Sequence, residues 1–320
     1  MQPAIRFRDV VREYAEGAPA VNGVSFDVEP GAMAVIVGPS GCGKTTLLKT
    51  VNRLGDPTSG RVFVDGVDTL TIDAVSLRRR IGYAIQNVGL FPHMTVAGNV
   101  AVVPQLLGWA RDRIDARVDE LLDLVHLPPA DFRARFPRAL SGGQQQRVGL
   151  ARALAGDPSI LLMDEPFGAV DAIERSHLQA ELLGIQRRLR KTVLFVTHDV
   201  DEALRLADVI VVMRAGRVEQ AGTPADVLLA PVNSFVSDLL GAGDALRRLS
   251  AIPAGAAMAS DGAVDGPRVA RTTPLREVLS LLIDSRARAA RVVDADGGVA
   301  GSVTLDGIIA AARSKSEGGA

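Results

Sequence analysis

A chain of 320 residues exceeds what one hydrophobic core usually supports and predicts two domains. Its 36 Lys and Arg side chains balance 37 Asp and Glu, so no net field favours nucleic acid or an anionic membrane, and any anion has to be held by a local site. The single cysteine, Cys42, excludes an internal disulfide and fits a reducing compartment. The opening MQPAIRFRDV carries charges where a signal peptide needs an apolar run. The apolar stretches AVIVG, ILLM and VIVVM fall far short of the ~20 residues that span a bilayer. A cytoplasmic chain is expected, with any membrane attachment made through a partner.

In chain order, the first strong element is the β-branched run at 33–37, a buried strand. It feeds directly into GPSGCGKTT and then an apolar helix, the G-x-x-x-x-G-K-[ST] pattern in strand–loop–helix context. Gly38, Pro39, Ser40, Gly41, Cys42, Gly43, Lys44, Thr45 and Thr46 are therefore candidate phosphate-binding residues. Glycine freedom lets successive N–H groups turn inward, Lys44 adds a point charge, and Thr45 offers a hydroxyl to Mg²⁺. From Arg78 to Leu154 the pattern turns helical, with RIDARVDELLDLVHL spaced in threes and fours and Pro128, Pro129 and Pro137 as breaks.

The run at 159–163 predicts a second buried strand, and SILLMDEP ends it in two adjacent carboxylates. Strand alternation sends Asp164 and Glu165 to different faces, so they can hold different roles. Asp164 suits the Mg²⁺ shell and Glu165 suits general-base activation of a water attacking a γ-phosphate. Runs at 192–197 and 208–213 complete a mostly parallel α/β sheet, and His198 ends the first of them where ligands of such sheets gather. Residues 241–267, Ala- and Gly-rich toward their end, are expected to be a linker. Beyond it, 268–313 reads as helix PLREVLSLLIDSR, two short strands around DADGG, and helix LDGIIAAARS, with 314–320 a flexible tail.

LSGGQQQR at 140–147, followed by ILLMDEP and VTHD, resembles the ATP-binding subunit of ABC transporters over residues 1–240. That resemblance implies an ABC ATPase domain with an antiparallel β part and an inserted helical subdomain, and ATP and Mg²⁺ as ligands. It implies a head-to-tail homodimer in which Ser141, Gly142, Gly143 and Gln144 of one chain contact the γ-phosphate held by the other. Ser141 and the N–H groups at a helix start make a second anion cradle, useful only when another chain brings the phosphate. The family's roles fall on Tyr14 for stacking on adenine, Gln86 for meeting Mg²⁺ and the attacking water, Asp171 for linking the two sites, and His198 for the γ-phosphate. Integral membrane permease subunits, an extracytoplasmic substrate-binding protein and a peripheral place on the inner membrane face are implied. Nucleic acid is not.

VNRLGDPTSGRVFVDG and QNVGLFPHMTVAGNVAVVPQLLGW are similar to importers of osmoprotectants such as glycine betaine, choline and proline betaine. The segment 268–313 resembles one CBS repeat, an accessory module of those importers. Gly98 stands where that group usually has a glutamate, and one repeat is present where a pair is usual. Import of amino acids or another organic solute, and a soluble ABC ATPase outside transport, are the alternative readings.

Overall fold

The computed structural model describes residues 2–14, 17–86, 88–168, 170–259, 265–294 and 296–313. Two compact units divide at 221/222.

In the first unit, β1 (Ile5–Arg12) pairs antiparallel with β2 (Val21–Val28). The buried strand β3 (Met33–Val37) leads through the glycine loop into α1 (Lys44–Val51). Strands β4 (Ser59–Val64) and β5 (Val67–Asp68) complete a four-stranded sheet in the order β2-β1-β4-β5. A second, six-stranded sheet takes β6 (Ile81–Ile85) after α2 (Ala74–Arg80), then β7 (Ile160–Asp164), β8 (Thr192–Thr197), β9 (Val209–Arg214) and β10 (Arg217–Gly222). Its order is β10-β9-β3-β8-β7-β6, with β9-β3, β3-β8, β8-β7 and β7-β6 all parallel. Every residue of β3 and β8 is buried, which is why both read as unbroken apolar runs rather than alternating ones.

One core joins the two sheets. Leu47, Leu48 and Val51 of α1 are fully buried with Phe7, Val24 and Val62 from the antiparallel sheet and Ile36, Leu162 and Val196 from the parallel one. Each such side chain contributes about 1.5–3 kcal/mol on burial. The helix that begins at the phosphate loop is thus clamped between sheets, and the loop inherits that rigidity.

Between β6 and β7 lie α3 (Val96–Leu106), α4 (Arg111–Leu124), α5 (Pro129–Phe132) and α6 (Gly142–Leu154). The helical insert is as expected, and α3, α4 and α6 pack on one another through Val100, Val118, Leu121, Val148 and Leu154. Asn99 is fully buried and organises the loop before α3. Its carbonyl accepts from Phe91 N at 2.7 Å, and its amide donates to Phe91 O, Met94 O and Thr95 O. Helices α7 (Ala172–Leu189) and α8 (Val200–Leu206) follow β7 and β8.

The second unit holds α9 (Pro224–Leu229), α10 (Ser234–Leu240), α11 (Ala245–Ala251), β11 (Arg268–Ala270), α12 (Leu275–Ser285), β12 (Ala289–Val293), β13 (Val299–Thr304) and α13 (Leu305–Arg313). The β12–β13 hairpin and its flanking helices match the expectation, and β11, unforeseen, adds a parallel strand to give the order β11-β12-β13. Residues 241–267 depart from the expected linker: α11 and a turn of 3₁₀ helix at Ala254–Ala256 occupy part of them. Leu249, Ile252 and Ala254 are buried with Val278, Leu282 and Val292 in one core, and Leu229 packs against it. The domain boundary therefore lies at 221/222, because apolar side chains well upstream of 268 complete the small unit's core. The expected tail at 314–320 lies outside the described residues.

Candidate functional site

Strand register gathers four of the candidate residues at the carboxyl end of the parallel sheet. Val37 is level with Thr197, Val196 with Asp164, and Asp164 with Ile85. The residues that follow these strand ends, Gly38, His198, Glu165 and Gln86, emerge side by side from four adjacent strands.

The loop from Gly38 to Thr46 is a close-packed cradle. Gly41 and Gly43 have φ of +78° and +104°, the left-handed region that favours glycine. A Cβ on Gly43 would lie 2.1 Å from Ala20 O, and one on Gly38 2.2 Å from Met213 O, so both approaches require glycine. Lys44 is 6% exposed, and its ammonium donates to Gly38 O at 2.7 Å and Pro39 O at 3.0 Å. Held by two loop carbonyls and the Cys42 Sγ, with no carboxylate among these partners, the ammonium puts a buried positive charge in the loop, as an anion site requires. Pro39 and Ser40 are exposed at the loop's crest, and Cys42 is buried beneath it, where burial pushes its thiol up in pKa.

The Thr45 hydroxyl donates to Asp164 Oδ1 at 2.7 Å. Burial pushes the Asp164 carboxyl up, and the Thr45 hydrogen bond partly offsets that. Among the described residues no group of three or more His, Cys, Asp or Glu could hold a metal unaided. One hydroxyl and one carboxylate side by side suit Mg²⁺ instead, which takes one or two protein oxygens and keeps waters and substrate phosphates as its remaining ligands.

Glu165 has φ +46° and its N–H donates to Val196 O at 2.9 Å, which anchors the residue to β8. Its Oε2 lies 3.1 Å from His198 Nδ1, and the His198 side chain is 60% exposed. Just beyond, Thr197 accepts from Asp199 N and donates to Glu202 Oε2 at 2.6 Å, while Gln179 donates to Glu202 Oε1. Burial pushes the Glu202 carboxyl up, and these hydrogen bonds brace the backbone that carries His198. Gln86 is exposed, and its amide lies against the backbone of Gly168, within 3.1 Å of where a Cβ there would sit. Tyr14 is 56% exposed, with the Arg12 guanidinium 4.9 Å from its ring centroid, so one face is open to stacking.

The signature residues stand apart from this cluster. Ser141 caps α6, its Oγ accepting from Gln144 N while Gln144 Oε1 accepts from Ser141 N, a reciprocal capping box. The Gly142 and Gly143 N–H groups have no acceptor among the described residues, and nothing lies within 4 Å of a Cβ on Gly142. Gly143 packs on Glu174, so a side chain there would strike its carboxylate. Asp171 caps α7 by accepting from Ile173 N and Glu174 N. No hydrogen bond joins Ser141, Gly142, Gly143, Gln144 or Asp171 to the phosphate loop among the described residues.

A family profile described as ABC transporter matches residues 21–168. The osmoprotectant import ATP-binding protein OsmV of Salmonella typhimurium is 46% identical over 299 residues, covering 92% of this chain and 77% of that protein. The chain belongs to the ABC transporter family. Among other ABC transporter ATP-binding proteins, the glycine betaine uptake system protein YehX of Escherichia coli is 44% identical over 91% of this chain and 94% of its own length. OpuCA of Bacillus subtilis, a glycine betaine/carnitine/choline transport protein, is 50% identical over 74% of this chain and 62% of its own length. The dimeric, post-hydrolysis cassette MJ0796 bound to ADP and Pi superposes with a TM-score of 0.62 and 32% identity, covering 69% of this chain and 98% of that one. As an ABC transporter ATPase, this chain binds ATP and couples its hydrolysis to transport.

Four contacts of the ABC site were not read from sequence. Arg147, which ends the LSGGQQQR octet, bonds Glu181 at 2.9 Å and Glu174 at 3.4 Å, tying α6 to α7. Arg175 bridges Val170 O and Asp199, joining the start of α7 to the His198 segment. The only sequence signal was a charged residue inside each motif, and nothing local names its partner.

Proposed function

We propose that this chain energises import of an osmoprotectant, a quaternary ammonium solute such as glycine betaine or choline, through a membrane permease complex. The observation that carries this reading is the likeness to OsmV over 92% of the chain, which extends past the ATPase unit into the second one. The chain acts as a homodimer closed head to tail, attached to the inner face of the membrane by permease subunits that an extracytoplasmic binding protein supplies. In support, no helix among the described residues is long and apolar enough to cross a membrane, and the free N–H groups of Gly142 and Gly143 face no phosphate loop of their own chain. Spermidine/putrescine import appears among the relatives' names at a similar identity, over 74% of this chain, which keeps another organic cation as the second reading.

In this reading Tyr14 stacks on adenine, and the loop from Gly38 to Thr46 holds the β- and γ-phosphates. Thr45, Gln86 and Asp164 would hold Mg²⁺, which would neutralise phosphate charge. Glu165 accepts a proton from the attacking water, and His198 orients both the carboxylate and the γ-phosphate. Ser141, Gly142, Gly143 and Gln144 of the partner close over that phosphate, and Asp171 links the two sites. Cells lacking this chain are expected to lose uptake of labelled glycine betaine or choline at high osmolarity and regain it with the wild-type gene, not with Lys44→Ala. Unchanged uptake of both solutes, with loss of polyamine uptake, would select the second reading.

The second unit, with its CBS-like strand–helix–hairpin–helix order, serves to bias the ATPase rather than to catalyse. Every candidate catalytic residue lies before 221. Truncation after Gly222 is expected to leave ATP binding and basal hydrolysis within about twofold of the full chain while changing how transport responds to salt. Loss of ATP binding in a folded truncation would show that the units are not separable.

A further inference from the structure

Val88 and Gly89, two and three residues after Gln86, are held by one helix, and that helix begins at the signature loop. Arg152, on the last turn of α6, donates to Val88 O at 2.6 Å and to Gly89 O at 2.7 Å. It has no carboxylate partner among the described residues, and its half-buried guanidinium is directed at two backbone carbonyls of a loop; partial burial lowers its pKa. One turn earlier, Gly149 lies so close to that loop that a Cβ would sit 2.5 Å from Val88 Cγ1. Packing elsewhere around the segment is thin. A mostly apolar cavity of about 40 Å³, lined by Val88, Leu150, Phe167 and Arg152 among others, adjoins it. An open groove of about 510 Å³ along Val88, Gly89 and Gln146 borders it as well.

We propose that Arg152, seated by Gly149, is a positioning residue that locks the backbone after Gln86 to the signature helix, so that the Gln86 amide and the Ser141 end of α6 move as one piece. Charge-assisted hydrogen bonds to two successive carbonyls fix both the position and the twist of a backbone, which a single contact cannot. With Arg147, near the middle of α6, held to Glu174 and Glu181, the helix is fixed at two levels, at Arg147 and at Arg152. A shift of the loop therefore moves the surface offered to the partner's nucleotide. The device rests on Gln86 acting at the nucleotide, and it adds a cause for that glutamine's placement.

The test is a double-mutant cycle on the full-length chain, read in kcat for ATP and in affinity for trinitrophenyl-ATP. Arg152→Ala is expected to lower kcat about tenfold while the affinity stays within about twofold, because the phosphate loop is untouched. Gln86→Ala lowers kcat, and the double variant is no slower than Gln86→Ala alone, since the latch has nothing left to position. Arg152→Lys, whose ammonium reaches one carbonyl at a time, recovers part of the rate. Should Arg152→Ala fail to fold, the same cycle run with Arg152→Lys decides the matter. Additive losses, or an affinity that falls in step with kcat, would show that Arg152 merely supports the fold and overturn the latch. A normal kcat for Gln86→Ala would instead remove the role of Gln86 itself, and the latch with it.

Discussion

Glu165→Gln is expected to bind ATP normally and to hydrolyse it about 10²–10⁴-fold more slowly, the range that general-base catalysis contributes. The substitution keeps the side chain's volume and its reach to His198 Nδ1, 3.1 Å away in the wild type. An amide oxygen cannot take a proton from water, so the loss is confined to chemistry. Backbone geometry is preserved too, because φ +46° is held by the bond from Glu165 N to Val196 O. With hydrolysis blocked, ATP should accumulate between two chains and shift the protein to a dimer on size-exclusion chromatography. Lys44→Ala provides the contrast, since removing the buried ammonium weakens phosphate binding itself. Near-wild-type turnover in purified Glu165→Gln would remove the general-base assignment.

The second large effect comes from mixing two inactive chains. Ser141→Arg replaces an exposed helix cap with a bulky cation, which spoils the cradle a chain offers to its partner and costs about 1 kcal/mol in lost capping. Lys44→Ala spoils the site a chain keeps. Either homodimer carries two damaged sites, but a mixed dimer has one site built from an intact phosphate loop and an intact signature loop. Random mixing is expected to restore about a quarter of wild-type ATPase activity, half the dimers being mixed and each having one working site of two. No recovery, with mixed dimers demonstrated by affinity tags, would argue against a head-to-tail arrangement.

The amino-acid sequence by itself determined the features carried by contiguous residues. The phosphate loop is legible because glycines at fixed offsets, a lysine and a helix start are one local object; the strands at 33–37 and 192–197 are legible because burial on both faces demands uninterrupted β-branched runs. Strand alternation predicts different directions for Asp164 and Glu165, but β7 ends at Asp164 and Glu165, with φ +46°, lies in the turn beyond it, so the turn rather than the pleat separates them.

Only the tertiary structure decided how distant segments meet. The strand order β3-β8-β7-β6 is not the chain order, and it sets the phosphate loop after β3 beside His198, while the pairing of β7 with β8 brings Glu165 and His198, 33 residues apart, within hydrogen-bonding distance. Arg152 finds its carbonyls 63 and 64 residues upstream. An arginine in a helix reads as solvated until a particular loop is folded over it, so no spacing rule points to the latch. The boundary at 221/222 was hidden for a related reason. The Ala- and Gly-rich composition around 251–267 outweighed the few apolar residues near it, and Leu249 and Ile252 become core residues only once α12 and the hairpin cover them. Burial is a property of the assembled chain, and short apolar side chains announce it weakly before the covering element is in place.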